Sequence, residues 1–244
     1  MQLVMSEVVD KILVIFDIDG TLVYSNRVDS QCFADAYQTI YRRKFPSIDW
    51  QRYPHVTDTT IFDAVIHEHF QRPSDPEEVR LFQDAFVRLI LEKRDTEPEA
   101  FQEVPGARQA VLNLLEHPGY EVGIATGGWE RPARVKLTHV AIPHEQINFR
   151  GADGLIRRED IIQHVIDRSV NGGSRFRKIV YIGDAIWDVQ TTRNMQLDFI
   201  GIRREGDAAV LQEAGADQVL VDYGDFEGFC RAVAVARPPD RGED

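Results

Sequence analysis

Two pairs of aspartates, each set directly after a short apolar run, are the residues in this chain best suited to chemistry. The first pair lies in Asp17-Ile18-Asp19-Gly20-Thr21, which follows Ile12-Leu13-Val14-Ile15-Phe16. An apolar run of that length reads as a strand buried on both faces of a parallel sheet. Alternation along a strand would point Asp17 and Asp19 the same way, and Gly20 lets the chain turn at once. The second pair sits in Gly183-Asp184-Ala185-Ile186-Trp187-Asp188, after Ile179-Val180-Tyr181-Ile182. Its aspartates are four apart and share one face of any helix that starts there. Each pair alone has a plainer reading, a polar turn for the first and an N-cap at Asp184 for the second. Together they mean more. Ligands of open α/β sheets bind beyond the carboxyl ends of strands. Four converging carboxylates repel unless protons or a divalent cation neutralise some of them. An all-oxygen donor set suits hard Mg²⁺ rather than zinc.

Elements that could position these groups are legible in the hydrophobic pattern. Residues 1–10 read as a short arm before the first strand. Between residues 24 and 103 the pattern is helical throughout. Phe33, Ala36, Tyr37 and Ile40 mark a helix over about 28–45, and Ile61, Phe62, Val65 and Ile66 mark one over 58–70. Val79, Phe82, Phe86, Leu89 and Ile90 mark a third over 75–93. No strand is expected within that block, which therefore reads as an insert with its own small core. Beyond it, strands near 120–126, 146–151, 178–182, 198–202 and 218–221 alternate with helices near 106–117, 132–140, 158–170, 187–194, 208–214 and 226–236. Such alternation predicts a mainly parallel sheet with helices on both faces, a three-layer α/β/α core of Rossmann type. Residues 237–244 are expected to fray.

With these motifs in place, the chain resembles the haloacid dehalogenase superfamily of aspartate-nucleophile phosphatases. Asp17 to Thr21 match that family's Asp-x-Asp-Gly-Thr motif. Val122-Gly123-Ile124-Ala125-Thr126 match its strand ending in a hydroxyl residue, and Gly183 to Asp188 match its Gly-Asp-x-x-x-Asp motif. The family's third motif is a basic residue, usually lysine, opening the helix before the last motif. No lysine stands there; Arg158 is the substitute, with Arg157 as rival. The resemblance implies a core over 1–23 and 104–244 and an all-α cap over 24–103. It also implies Mg²⁺ held by the Asp17 carboxylate, the Asp19 carbonyl and Asp184, with Asp188 behind or bridged by water.

Asp17 would be the nucleophile and Asp19 the general acid and base. Arg158 would hold the transferring phosphoryl group. Thr126, Gly127 and Gly128 would bind phosphate, although an ordinary strand-to-helix turn is the plain alternative for them. Thr57 and Asp58, in His55-Val56-Thr57-Asp58, resemble the cap's substrate-facing turn, often Gly-x-Thr-Asp. His55 stands where the glycine would be, and Thr57 could equally cap the next helix. Asp19 argues against dehalogenating and phosphonate-cleaving relatives. It leaves a phosphatase of the phosphoglycolate phosphatase kind, with a β-phosphoglucomutase-like mutase as the alternative. A non-catalytic phospho-acceptor regulator fits less well, because such receiver domains lack the helical insert.

Bulk properties restrict the partners. A net charge of −12 over 244 residues argues against nonspecific nucleic-acid binding or a basic membrane patch. A phosphate ester approaching so acidic a chain needs local positive charge from a metal, an arginine or helix amides. The expected partner is a small phosphorylated metabolite. The two cysteines, Cys32 and Cys230, show no metal or redox spacing and read as free thiols. No apolar run is long enough for a transmembrane helix, and the N-terminal run lacks a cleavage site, so a cytoplasmic setting is expected. His67 and His69, two apart on a helix, do not make a metal pair. Trp187 is expected to pack.

Overall fold

The computed structural model describes residues 10–240. Its first strand, β1 (Lys11–Phe16), is followed by the Asp17–Leu22 turn and β2 (Val23–Tyr24). Next come α1 (Asn26–Tyr41), α2 (Asp58–Phe70) and α3 (Pro76–Thr96), and then β3 (Gln102–Glu103). β2 and β3 pair antiparallel, so the helical insert starts and finishes at one short ribbon. The chain continues through α4 (Ala107–Glu116), β4 (Tyr120–Ala125), α5 (Glu130–His139), β5 (Asn148–Arg150) and α6 (Arg158–Asn171). It closes with β6 (Phe176–Gly183), α7 (Ile186–Met195), β7 (Asp198–Ile202), α8 (Ala209–Glu213), β8 (Gln218–Leu220) and α9 (Phe226–Val235).

Six strands form one sheet in the order β5-β4-β1-β6-β7-β8, with every neighbouring pair parallel. β1 is central because its residues can be buried on both faces: Leu13, Val14, Ile15 and Phe16 are fully buried. Phe16 pairs in register with Ile124 of β4 and Ile182 of β6. Three adjacent strands therefore end level with one another. The chain runs outward from β1 to one edge and returns through β6 to the other, which makes the β4-β1-β6 edge the place where strand order reverses.

The insert builds an aromatic core around Phe33, whose ring lies 4.8 Å from Phe82, 5.3 Å from Phe86 and 5.5 Å from Phe45. Trp129, just before α5, stacks on the same ring at 5.8 Å and is fully buried. The sheet-bearing part thus contributes a side chain to the insert's own core. α2 and α3 both start with capping boxes, Thr57 with Thr60 and Asp75 with Glu78, and Pro76 opens α3 where its missing N–H costs nothing.

The structure departs from expectation at three places. The β2–β3 ribbon had no signal, because two-residue strands show no alternation. The segment Arg237–Asp240 is not frayed: Phe199 donates to the Arg237 carbonyl at 3.1 Å and Asp240 donates to the Gly215 carbonyl at 2.9 Å. Backbone pairing holds a stretch whose composition suggested a tail. Trp187 is partly exposed at a cleft mouth and belongs to no core cluster. Residues 1–9 of the expected arm and 241–244 of the expected tail lie outside the described residues. Cys32 is buried, Cys230 is partly exposed, and both are free. Among the described residues no helix is long and apolar enough to cross a membrane.

Candidate active site

The carboxyl ends of β4, β1 and β6 deliver Thr126, Asp17 and Asp184 to one cleft of about 1130 Å³, walled on its far side by the insert. One oxygen each from Asp17, Asp184 and Asp188 lies within 4.8 Å of the other two. All three residues are buried, Asp188 completely. Gly20 makes this approach possible. It adopts φ +77°, and a Cβ there would collide with the Asp184 carboxylate. The Tyr223 hydroxyl braces the turn by donating to the Thr21 carbonyl at 3.0 Å.

Within the cluster the three carboxylates are treated differently. Asp188 is fully engaged: Oδ2 accepts from the amides of Asp184 (3.2 Å) and Ala185 (3.1 Å), and Oδ1 accepts from Arg158 at 2.6 Å. Asp184 Oδ2 accepts from the Asn26 amide at 3.1 Å, and its carbonyl accepts from Arg203 at 3.1 Å. Asp17 Oδ1 is buried with no hydrogen-bond partner, and Arg158 stands 3.7 Å away. Burial first, and then the charge of Asp188, raises the Asp17 carboxyl to about 7, with Arg158 opposing. Burial first, and then the charges of Asp188 and Asp17, push Asp184 well above the usual carboxylate range. Asp17 and Asp188 share the Arg158 guanidinium, and Asp184 has a cation only in Arg203, which bonds its carbonyl and not its carboxylate. The cluster's all-oxygen character, burial and unpartnered Asp17 oxygen fit a hard divalent cation.

Thr126 is buried where β4 ends, and its hydroxyl accepts from the Gly128 amide at 3.2 Å. Gly127 is required by close approach, because a Cβ would strike the Arg158 guanidinium. Arg158 opens α6, is buried, and also donates to the Val56 carbonyl at 3.2 Å. Arg157 points elsewhere and pairs with Glu159 at the surface. The geometry therefore brings Arg158, and not Arg157, to the carboxylates. Thr57 is fully buried as the N-cap of α2, and its hydroxyl donates to the Ile156 carbonyl at 3.1 Å. That placement gives Thr57 the capping role, and Thr57 does not line the cleft. Asp58 does line the cleft, with Oδ2 accepting from the Trp129 amide at 2.9 Å. His55 and Val56 take φ +62° and +47°. The backbone there keeps a conformation that favours glycine, although neither residue is one.

Asp19 lies at the cleft in a second group of charges. Its carboxylate accepts from the Ser25 hydroxyl, and Lys136 Nζ is 2.6 Å from both of its oxygens. The same ammonium is 2.6 Å from Asp29 Oδ1.

A family model described as haloacid dehalogenase-like hydrolase matches residues 14–202. The chain belongs to that family. This makes it an enzyme of the hydrolase type, and the family match spans every motif read from the sequence. No curated protein matches it. Solved structures share its fold at low identity. A hydrolase from Pseudomonas syringae is 20% identical, with a TM-score of 0.68 over 90% of this chain and 98% of that one. A predicted phosphoglycolate phosphatase from Haemophilus somnus is 16% identical, with a TM-score of 0.64 over 92% and 100%. CbbY from Rhodobacter sphaeroides, solved with phosphate, is 16% identical, with a TM-score of 0.62 over 88% and 95%.

For a member of this family the residues that sequence reasoning missed are instructive. Lys136, Asp29, Asn26 and Arg203 all touch candidate site aspartates or their partners, and all come from outside the motifs. A signal for two of them existed. Lys136 falls on the apolar stripe Trp129, Ala133, Leu137, Val140 that runs along α5 and its two caps, and Asp29 falls on the stripe of Phe33 and Tyr37 in α1. A charge on the buried face of a helix needs a partner. Each was the other's.

Proposed function

We propose that this protein is a Mg²⁺-dependent phosphomonoesterase that hydrolyses a small phosphorylated metabolite through an aspartyl-phosphate on Asp17. The observation that carries this reading is the buried Asp17 oxygen without a hydrogen-bond partner, set among carboxylates and facing the Thr126–Gly128 loop. The resemblance to a predicted phosphoglycolate phosphatase and to a protein solved with phosphate supports it.

Asp17, Asp184 and the Asp19 carbonyl would hold the ion, with Asp188 fixing the turn behind them. Bound there, Mg²⁺ would offset the repulsion among the carboxylates and neutralise phosphoryl charge. The protein's own groups do the rest. Thr126 and the amides of Gly127 and Gly128 receive the phosphoryl oxygens beside the start of α5. Arg158, held by Asp188, keeps a fixed positive charge 3.7 Å from the nucleophile. Asp17 attacks phosphorus, and Asp19 gives a proton to the leaving oxygen and later takes one from water. Asp29, Asp58, Ile61 and Lys93 of the insert line the cleft opposite Asp17, so the insert acts as a cap and the leaving group must be small enough to lie beneath it.

The test is hydrolysis of an aryl phosphate with Mg²⁺, with chelator, and by Asp17→Asn. Release of free phosphate by the wild type with Mg²⁺ alone is expected. Equal rates in all three would remove the assignment.

A further inference from the structure

Lys136 is among the most deeply buried charged side chains described, with 2% of its side chain exposed, and the proposed reaction does not yet use it. A lysine ammonium has three N–H donors and no acceptor. Here three carboxylate oxygens lie at 2.6 Å, two from Asp19 and one from Asp29. The tripod is filled, so the ammonium cannot turn without breaking a charged hydrogen bond. Its desolvation is compensated only because both carboxylates are present.

The grip on Asp19 is asymmetric. Oδ1 accepts from both Ser25 and Lys136, which uses both of its lone pairs. Oδ2 accepts from Lys136 alone and keeps one position free. About a fifth of the Asp19 side chain is exposed, and Asp19 lines the cleft. α5, which carries Lys136, begins right after the Thr126–Gly128 loop, and Asp29 stands in the first turn of α1. One ammonium thus ties the phosphate loop's helix, the first motif and the insert's first helix together.

We propose that Lys136, braced by Asp29, is a positioning residue for Asp19 and makes Oδ2 the oxygen that transfers the proton. This role rests on the phosphatase reading above. In the first step the bond from phosphorus to the leaving oxygen breaks, and its electron pair stays on that oxygen. The Asp17 oxygen bonds to phosphorus, and the Oδ2 proton passes to the leaving oxygen. In the second step water attacks the aspartyl-phosphate, its proton goes to Oδ2, and Asp17 and phosphate are released.

The experiment measures kcat/KM for phosphate monoesters running from dinitrophenyl phosphate, whose leaving group departs unprotonated, to an alkyl phosphate, whose leaving group needs a proton. In Lys136→Met the alkyl ester should lose about 100-fold and the dinitrophenyl ester less than about 10-fold, in line with the worth of a general acid. Asp29→Asn should show the same tilt at about 5-fold, because the ammonium loses one of three charged anchors. An equal fall across the series, or none, would overturn the role, since a purely structural lysine affects every ester alike. If Lys136→Met does not fold, Asp29→Asn decides: a tilt supports the role and a flat profile refutes it. A wild type inactive on every ester would refute the phosphatase reading itself, a distinct failure.

Discussion

Two charge clusters face the same cleft, and each sets aspartates against one buried cation. Asp17 and Asp188 meet Arg158, with Asp184 beside them; Asp19 and Asp29 meet Lys136, with Asp58 nearby. They differ in what is left over. In the first, Arg158 spends its short contact on Asp188, and Asp17 Oδ1 has no hydrogen-bond partner. In the second, every ammonium hydrogen has an acceptor and Asp19 is gripped on both oxygens. The first cluster leaves a buried acceptor unpartnered, which the proposed function assigns to a cation and to phosphorus. The second is complete and serves to hold one carboxylate still. Sites that bind and sites that position can share a composition and be told apart by which atoms lack partners.

The strongest way to break the comparison is to remove one carboxylate from each cluster. Asp184→Asn should lose at least about 100-fold in kcat/KM and all thermal stabilisation by Mg²⁺, because the ion loses a charged ligand. Asp29→Asn should keep the full Mg²⁺-dependent rise in Tm. A lost Mg²⁺ response in Asp29→Asn would mean that both clusters bind the ion.

Trp129 comes next in size. Its indole stacks within the insert's core and donates to Thr59 at 3.0 Å, while its amide holds Asp58. Trp129→Ala should cost about 3–5 kcal/mol by denaturant unfolding. It should weaken the second cluster, which spans both parts, more than Mg²⁺ binding by the first. A cost below about 1 kcal/mol would show that the insert docks by other contacts.

The pH dependence separates the clusters without mutation. Asp17 is raised to about 7 and Asp29 to about 6, in both cases chiefly by burial. A carboxyl raised on folding contributes stability that is fully present below its unfolded value near 4 and lost as pH rises through its folded value. Without metal, Tm should therefore fall between about pH 4 and 7. Mg²⁺ should cancel the Asp17 share of this fall, which runs from about pH 4 to 7 and stands alone above about pH 6, and leave the Asp29 share below about pH 6. A metal-free Tm that is flat or rising over this range would contradict the assignment. The smallest effect is expected from Ser25→Ala, which removes the hydroxyl that donates to Asp19 Oδ1. It should cost about 1 kcal/mol in stability by denaturant unfolding and leave the Mg²⁺ response intact.

The two clusters were unequally legible in the sequence. Asp17, Asp184 and Thr126 stand where apolar runs end, so local pattern and the rule about strand ends locate all three. The parallel sheet was legible for the same reason, because its strands are short, continuous and apolar. Arg158 was recoverable from its place at a helix start, but its choice over Arg157 needed the direction of the side chain. Lys136 and Asp29 meet across 107 residues, each embedded in an amphipathic helix. Their only trace is a charge on an apolar stripe, which a sequence reading passes over as an imperfect face. Thr57 was ambiguous between cap and ligand because the same residue type serves both. Burial resolved it. The Arg237–Asp240 backbone pairs have no side-chain pattern, and nothing local announces them.

The most direct measurement is acid quenching during turnover of a ³²P-labelled ester, followed by mapping of the labelled peptide. The account predicts an acid-stable, base-labile phosphate on the peptide carrying Asp17, absent from Asp17→Asn. Label on another residue, or steady turnover with no label under conditions that trap acyl phosphates, would contradict it.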